Sequence, residues 1–123
     1  MITEINKLCD FSQILMESEG IVILKLGATW CGPCQKIAGQ VHTAFKTLTA
    51  TYGDKAVCCD IDVDESFELY AFLKNKKMVH GIPAILCWYK GNVSLIPDDS
   101  IHGSDVDGVS QFFHRCANKL SLL

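Results

Sequence analysis

Two cysteines separated by two residues constrain this chain more than any other feature. Cys31 and Cys34 follow a strongly apolar run, 21–26, which is typical of a strand covered on both faces. Pro33 suits the first turn of a helix, where a missing backbone N–H costs nothing. A strand that leads into a helix here would leave Cys31 exposed at the helix N-terminus. Free N–H groups and the helix dipole favour a thiolate at that end.

A Cys-x-x-Cys pair serves either redox chemistry or metal ligation, and it can also be an inert buried pair. A structural zinc site needs four ligands, and this sequence has no second Cys-x-x-Cys and no His-x₃₋₅-His pair. The preceding strand, the following helix and the Gly-Pro between the cysteines favour redox chemistry. The four histidines have no metal-binding spacing: we expect His42, His102 and His114 to be solvated, His102 in a loop, and His80 to approach the site.

The bulk composition predicts one globular domain over residues 1–123, with 49% hydrophobic and 20% charged residues. A net charge of −3 argues against a nucleic-acid partner, and no apolar stretch is long enough to predict a membrane partner. The first residues lack the pattern of a secretory signal, and a single arginine argues against a transit peptide. We therefore expect a cytoplasmic protein.

Seven cysteines are many for such a chain, and the number is odd. In a reducing compartment this predicts one functional pair and five further thiols. Because cysteine ranks among the most buried residue types, we expect each of the five to be a small buried hydrophobic residue. They are Cys9, Cys58, Cys59, Cys87 and Cys116.

Periodicity and turn residues predict strands and helices that alternate until a closing hairpin. In chain order they are an edge strand at 2–5, a helix at 9–18, a strand at 21–26, a helix at 33–52, a strand at 56–62, a helix from Ser66 to 74–77, and strands at 84–89 and 93–96. A last helix begins with the capping-box-like Ser104-x-x-Asp107. Its predicted buried face consists of Val106, Val109, Phe113, Cys116 and Leu120. A turn at 90–92 joins the hairpin, and 97–100 is a polar loop. Alternation implies parallel strands with crossover helices, so we predict an α/β fold with a mixed sheet between helices.

Nearly the whole chain resembles the thioredoxin family. The resemblance rests on Ala28-Thr29-Trp30-Cys31-Gly32-Pro33-Cys34, Gly81-Ile82-Pro83, Gly91 and Gly103. It implies the thioredoxin fold and a protein disulfide reductase without a cofactor. In that activity Cys31 is the nucleophile and Cys34 resolves the mixed disulfide. It also implies a monomer that acts on disulfide-containing proteins and is reduced by a thioredoxin reductase or another thiol reductant.

The resemblance also implies a substrate surface beside the two cysteines. In this family the matching proline is cis and faces the pair, and the residue before it pairs with an extended substrate segment. The expected platform consists of Trp30, Gly32, Pro33, Ile82, Pro83 and Gly103. The alternative for Trp30 is a core aromatic residue. The alternative for the whole chain is a binding or scaffold subunit with weak redox activity.

Four departures from the family pattern accompany these motifs. Lys25 stands where a buried aspartate is usual, Gly39 replaces a helix-kinking proline, and Gly27 replaces an aromatic residue. The interval from Gly91 to Gly103 is longer than usual. A lysine in an apolar strand must be paired, lose its charge or reach the surface. The resemblance places Asp60 where a lysine often lies opposite the usual aspartate, beneath the second cysteine. We therefore hypothesise an ion pair of Lys25 with Asp60 beneath Cys34 that tunes the thiol pKa.

Overall fold

The computed structural model describes all 123 residues and contains four helices and four strands. In chain order they are α1 (Leu8–Glu17), β1 (Ile21–Gly27), α2 (Gly32–Tyr52), β2 (Ala56–Asp62), α3 (Phe67–Asn75), β3 (Ala84–Trp88), β4 (Asp99–His102) and α4 (Val106–Ser121). A 3-10 turn, Gly53–Lys55, joins α2 to β2. None of the helices has both the length and the apolar character needed to cross a bilayer.

The sheet has the strand order β2-β1-β3-β4. β1 pairs with β2 in parallel and with β3 in antiparallel orientation, and β4 pairs antiparallel with β3. Helices α1 and α3 pack on one face of the sheet, and α2 and α4 pack on the other. The predicted mixed sheet between helices is confirmed. The alternation of elements had implied a parallel β3, which is wrong, because β3 begins at the carboxyl end of β1, with Ala84 opposite Leu26, and runs antiparallel to it.

The second strand of the closing hairpin lies later than predicted. It is β4, at Asp99–His102, and not 93–96. Two of its residues, Asp99 and Ser100, had been assigned to a polar loop. Val93 and Ile96 suggested a strand by their apolar character, yet both are exposed.

Side-chain hydrogen bonds of Asp98 explain this shift. Its Oδ2 accepts from the Tyr89 N–H at 2.7 Å and from Asn92 Nδ2 at 2.9 Å. Its own N–H donates to the Cys87 carbonyl at 2.8 Å. These bonds stabilise a compact loop, so strand pairing begins only with Asp99, opposite Cys87.

The predicted edge strand at 2–5 is reduced to one parallel bridge between Ile2 and Cys59. The chain then turns inward, because the N–H of Ile5 donates to Ser66 Oγ at 3.1 Å and the Ile5 side chain is buried. A side-chain acceptor thus replaces the next strand partner.

The predicted cap of α4 is also displaced by one residue. Asp105, and not Ser104, is the N-cap, and its Oδ2 accepts from the Gly108 N–H at 3.3 Å. Val106 consequently faces solvent. The buried face is Val109, Phe112, Phe113, Cys116 and Leu120, which adds Phe112 to the predicted set.

Four of the five remaining thiols lie in the core, as predicted, but Cys9 is exposed on the outer face of α1. Burial is the main cause that raises the pKa of both Cys58 and Cys59 to about 12. A hydrogen bond with the Cys116 thiol, followed by burial, raises the pKa of Cys87. Cys58, Cys59 and Cys87 are therefore protonated near neutral pH.

Native alkylation tests this division of the cysteines. We expect iodoacetamide at neutral pH to modify the oxidised protein at Cys9 alone, because the other free thiols are buried. Peptide mass mapping before and after denaturation measures this. A Cys9→Ser variant should take up no label until it unfolds; rapid native labelling of any buried thiol would contradict the assignment.

Gly20 makes the closest backbone approach among the glycines. A β-carbon at this position would lie 1.9 Å from the Lys55 carbonyl oxygen, which belongs to the backbone. Gly39, on the exposed side of α2, has no atom within 4 Å of its added β-carbon. The same substitution should therefore have opposite effects at the two positions.

We expect Gly20→Ala to lower the free energy of unfolding by about 1–3 kcal/mol through overpacking. Gly39→Ala should raise it by about 1 kcal/mol through helix propensity. Urea denaturation of both variants measures the difference. Equal changes at the two positions would show that the contact with Lys55 is not restrictive.

Candidate functional site

Cys31 and Cys34 form a disulfide at the start of α2, with their Cα atoms 5.2 Å apart. Cys31 is the N-cap of the helix, and the N–H of Cys34 donates to its Sγ at 3.2 Å. Gly32 is the first helical residue, and Pro33 lies in the first turn as predicted. The sulfur thus satisfies one of the free N–H groups at this end.

Cys31 is less accessible than predicted. In the disulfide it retains 6% of its surface, against 1% for Cys34, and both belong to one apolar cluster. Its sulfur is bonded to Cys34 Sγ and accepts from the Cys34 N–H. The expected exposed Cys31 is therefore wrong for this oxidised form, although Cys31 remains the more accessible of the two.

Trp30 lies outside the core, with 69% of its surface exposed. Its indole Nε1 donates to Asp64 Oδ2 at 2.8 Å, and the N–H of Asp64 donates in turn to Asp62 Oδ1 at 2.8 Å. The alternative of a core aromatic residue is wrong. Sequence analysis missed Asp64; its only signal was an acidic residue shortly after the strand at 56–62.

The proline segment and the glycine before α4 lie together. The Ile82–Pro83 peptide bond is cis, and the Pro83 carbonyl accepts from the Gly103 N–H at 2.9 Å. Gly103 has a φ of 88°, a conformation that favours glycine. Ile82 is partly buried and packs against the apolar cluster that contains Cys31 and Cys34.

Lys25 and Asp60 face each other across the parallel pair of β1 and β2. Lys25 Nζ lies 3.4 Å from Asp60 Oδ1, with 9% of the lysine side chain and 30% of the aspartate side chain exposed. The hypothesised ion pair is thus present. The alternative of a lysine that reaches the surface is wrong.

Two histidines lie close together beside the proline segment. The rings of His80 and His102 have centroids 5.4 Å apart. His102 belongs to β4 and is half-buried, which corrects its assignment to a solvated loop. Burial, and then the charge of His80, lower the pKa of His102 below its ordinary value. Its ring is therefore mainly neutral at neutral pH.

Comparisons with known proteins agree with this geometry. The family model described as thioredoxin matches residues 3–114. Thioredoxin from Bacillus subtilis is 37% identical over 89 residues, which cover 72% of this chain and 78% of that protein. Chloroplastic thioredoxin X from Arabidopsis thaliana is 35% identical over 82 residues, 67% of this chain but 41% of that protein.

Solved structures show the same fold. Thioredoxin from Fasciola hepatica has a TM-score of 0.71 and 20% identity, covering 94% of this chain and 99% of that one. Thioredoxin from Malassezia sympodialis has a TM-score of 0.69 and 22% identity, covering 94% and 93% of the two chains.

The disulfide at the helix start provides the chemistry of thiol–disulfide exchange, in which a thiolate attacks a disulfide sulfur. The match to the family model includes the whole sheet, helices α1 to α3, the first part of α4 and this redox centre. The chain belongs to the thioredoxin family, whose members are thiol–disulfide oxidoreductases.

Proposed function

We propose that this protein reduces disulfide bonds in other proteins. The observation that supports this most directly is the Cys31–Cys34 disulfide at the N-terminus of α2, within a chain of the thioredoxin family. A helix N-terminus stabilises a thiolate, which is the reactive form of cysteine. The Gly-Pro dipeptide between the two cysteines resembles the one found at this place in the reducing members of the superfamily.

In the proposed cycle Cys31 is the nucleophile and Cys34 is the resolving residue. The Cys31 thiolate attacks one sulfur of a substrate disulfide, and the other substrate sulfur leaves as a thiolate that takes a proton. The Cys34 thiolate then attacks Cys31 Sγ, which releases the second substrate thiol. The protein is left with the Cys31–Cys34 disulfide, and two electrons from a reductant restore the dithiol.

A platform of mostly apolar residues would hold the substrate: Trp30, Gly32, Pro33, Ile82, Pro83 and Gly103. Three observations on the positions of these residues support the proposed platform. Trp30 is exposed beside the disulfide, the Gly103 N–H donates to the Pro83 carbonyl, and Ile82 packs against the cluster that contains both cysteines. An extended substrate segment would pair with the backbone of Ile82.

The proposed function also implies partners, an oligomeric state and a location in the cell. We propose disulfide-containing proteins as substrates and a thioredoxin reductase or another thiol reductant as the electron donor. We further propose a monomer that acts in the cytoplasm. The net charge of −3 is compatible with this assignment and offers no attraction to nucleic acid.

A binding or scaffold role is the second candidate, since the buried Lys25 lies where this family usually carries a carboxylate. Insulin reduction with dithiothreitol separates the two. We expect Cys9→Ser protein to accelerate insulin precipitation, and Cys31→Ser in the same background to fall to the rate of dithiothreitol alone. A Cys9→Ser protein no faster than dithiothreitol would support the scaffold.

Trapping tests the order of attack. Cys34→Ser should accumulate mixed disulfides through Cys31, because no thiol remains to release the substrate. Non-reducing electrophoresis after incubation with insulin measures them. All these variants carry Cys9→Ser, because Cys9 is an exposed thiol. The Cys31→Ser/Cys34→Ser variant is the control and should trap nothing; mixed disulfides formed instead by Cys31→Ser would reverse the two roles.

Alkylation of the fully reduced protein is an independent check. We expect iodoacetamide near neutral pH to modify Cys31 before Cys34, since Cys31 is the helix cap and retains more surface. Mass mapping at short reaction times gives the order, with Cys9→Ser as background. Prior labelling of Cys34 would be inconsistent with the proposed nucleophile.

A further inference from the structure

A pocket of about 290 Å³ opens beside the redox pair, between β1, β2 and the first turns of α2. Lys25, Gly27, Gln35 and Asp60 are among its lining residues. A β-carbon added to Gly27 would lie 3.3 Å from Lys25 Nζ and 3.5 Å from Cys34 Cβ. The ammonium group and Cys34 Cβ are thus no farther apart than the sum of these two distances. No side chain at position 27 stands between them.

The other charged groups around this pocket are carboxylates nearer to solvent. Asp62 is half-buried, Glu65 is exposed, and Asp60 holds the Lys25 ammonium while part of its own side chain remains accessible. The first turn of α2 has no acidic residue, and the Ile82–Pro83 segment has no ionisable group. Lys25 is therefore the most deeply buried charge near the second cysteine, where solvent screens it least.

We propose that Lys25 is a positioning residue for the resolving step, and that its ammonium group stabilises the Cys34 thiolate across the space left by Gly27. The inference rests on the proposed function of the two cysteines. A nearby opposite charge favours the ionised form of an acid and so lowers its pKa. The ammonium has no lone pair to accept a proton, so the Cys34 proton passes to solvent water. The thiolate then attacks Cys31 Sγ and expels the substrate sulfur.

Gly27 is part of this arrangement because any larger residue would occupy the space beside the ammonium group. The added β-carbon of alanine would press on the flexible end of Lys25 and leave the backbone unstrained, since Gly27 lacks a positive φ. Gly27→Ala thus displaces the charge without removing it. Lys25→Met removes the charge and keeps an unbranched side chain of similar length.

A two-phase reaction with 5,5′-dithiobis(2-nitrobenzoate) directly measures the resolving step, in which Cys34 attacks Cys31 Sγ. At limiting reagent, attack by reduced Cys31 releases the first thionitrobenzoate, and resolution by Cys34 releases the second. We expect Lys25→Met to slow the second phase roughly tenfold at pH 7 and to move its pH profile upward by about one unit. The first phase should stay within twofold of the parent. Gly27→Ala should slow the second phase in the same direction by a smaller factor.

All variants in this experiment carry Cys9→Ser. Two matched controls show whether the effect is specific to Lys25 and Gly27. Lys46→Met removes an exposed lysine of α2, and Gly39→Ala places a β-carbon in open space; neither should change the second phase. A folded Lys25→Met variant with an unchanged second phase and pH profile overturns the inference. If that variant does not fold, an unaffected Gly27→Ala overturns it instead. Failure of the proposed function has a different signature, because the parent protein would then show no second phase.

Discussion

The burial of β1 is the constraint on which the rest of the structure depends. All seven of its residues are buried, with a paired strand at each edge and helices on both faces. The strand ends at Gly27, and a short turn leads directly to the helix that Cys31 caps. A fully buried central strand thus positions the redox pair. The same burial commits Lys25 to the protein interior.

A charge in such a strand is costly unless a partner compensates it. Asp60 lies opposite in register and supplies that partner at 3.4 Å, while its own partial exposure limits the desolvation of the pair. Pairs of this kind add little stability compared with apolar residues of similar size. The role proposed for Lys25 in the resolving step therefore accounts for the pair better than a contribution to stability does. A β-carbon at Gly27 would lie 3.3 Å from Lys25 Nζ.

Burial also divides the seven thiols by chemistry. Desolvation raises the pKa of Cys58 and Cys59 to about 12, so these two core thiols stay protonated near neutral pH and are unreactive. Cys31 lies instead at a helix N-terminus, where the N–H of Cys34 donates to its sulfur, and such a position favours a thiolate. A chain with many cysteines can thus confine exchange chemistry to one pair, with Cys9 as the single exposed exception.

Local patterns in the sequence determined β1, β2, the long helix α2 and the place of the two cysteines at its start, because apolar runs, helical periodicity and Pro33 act over neighbouring residues. The apolar strand around Lys25 predicted that its charge needs a partner, and the resemblance to the family indicated Asp60 as that partner. Tertiary structure alone decided the direction of β3, the position of β4, the indole bond of Trp30 to Asp64 and the surface position of Cys9. Each depends on groups distant in sequence or on which helix face meets the sheet. No local pattern carries that information, because such contacts form only when the chain closes on itself.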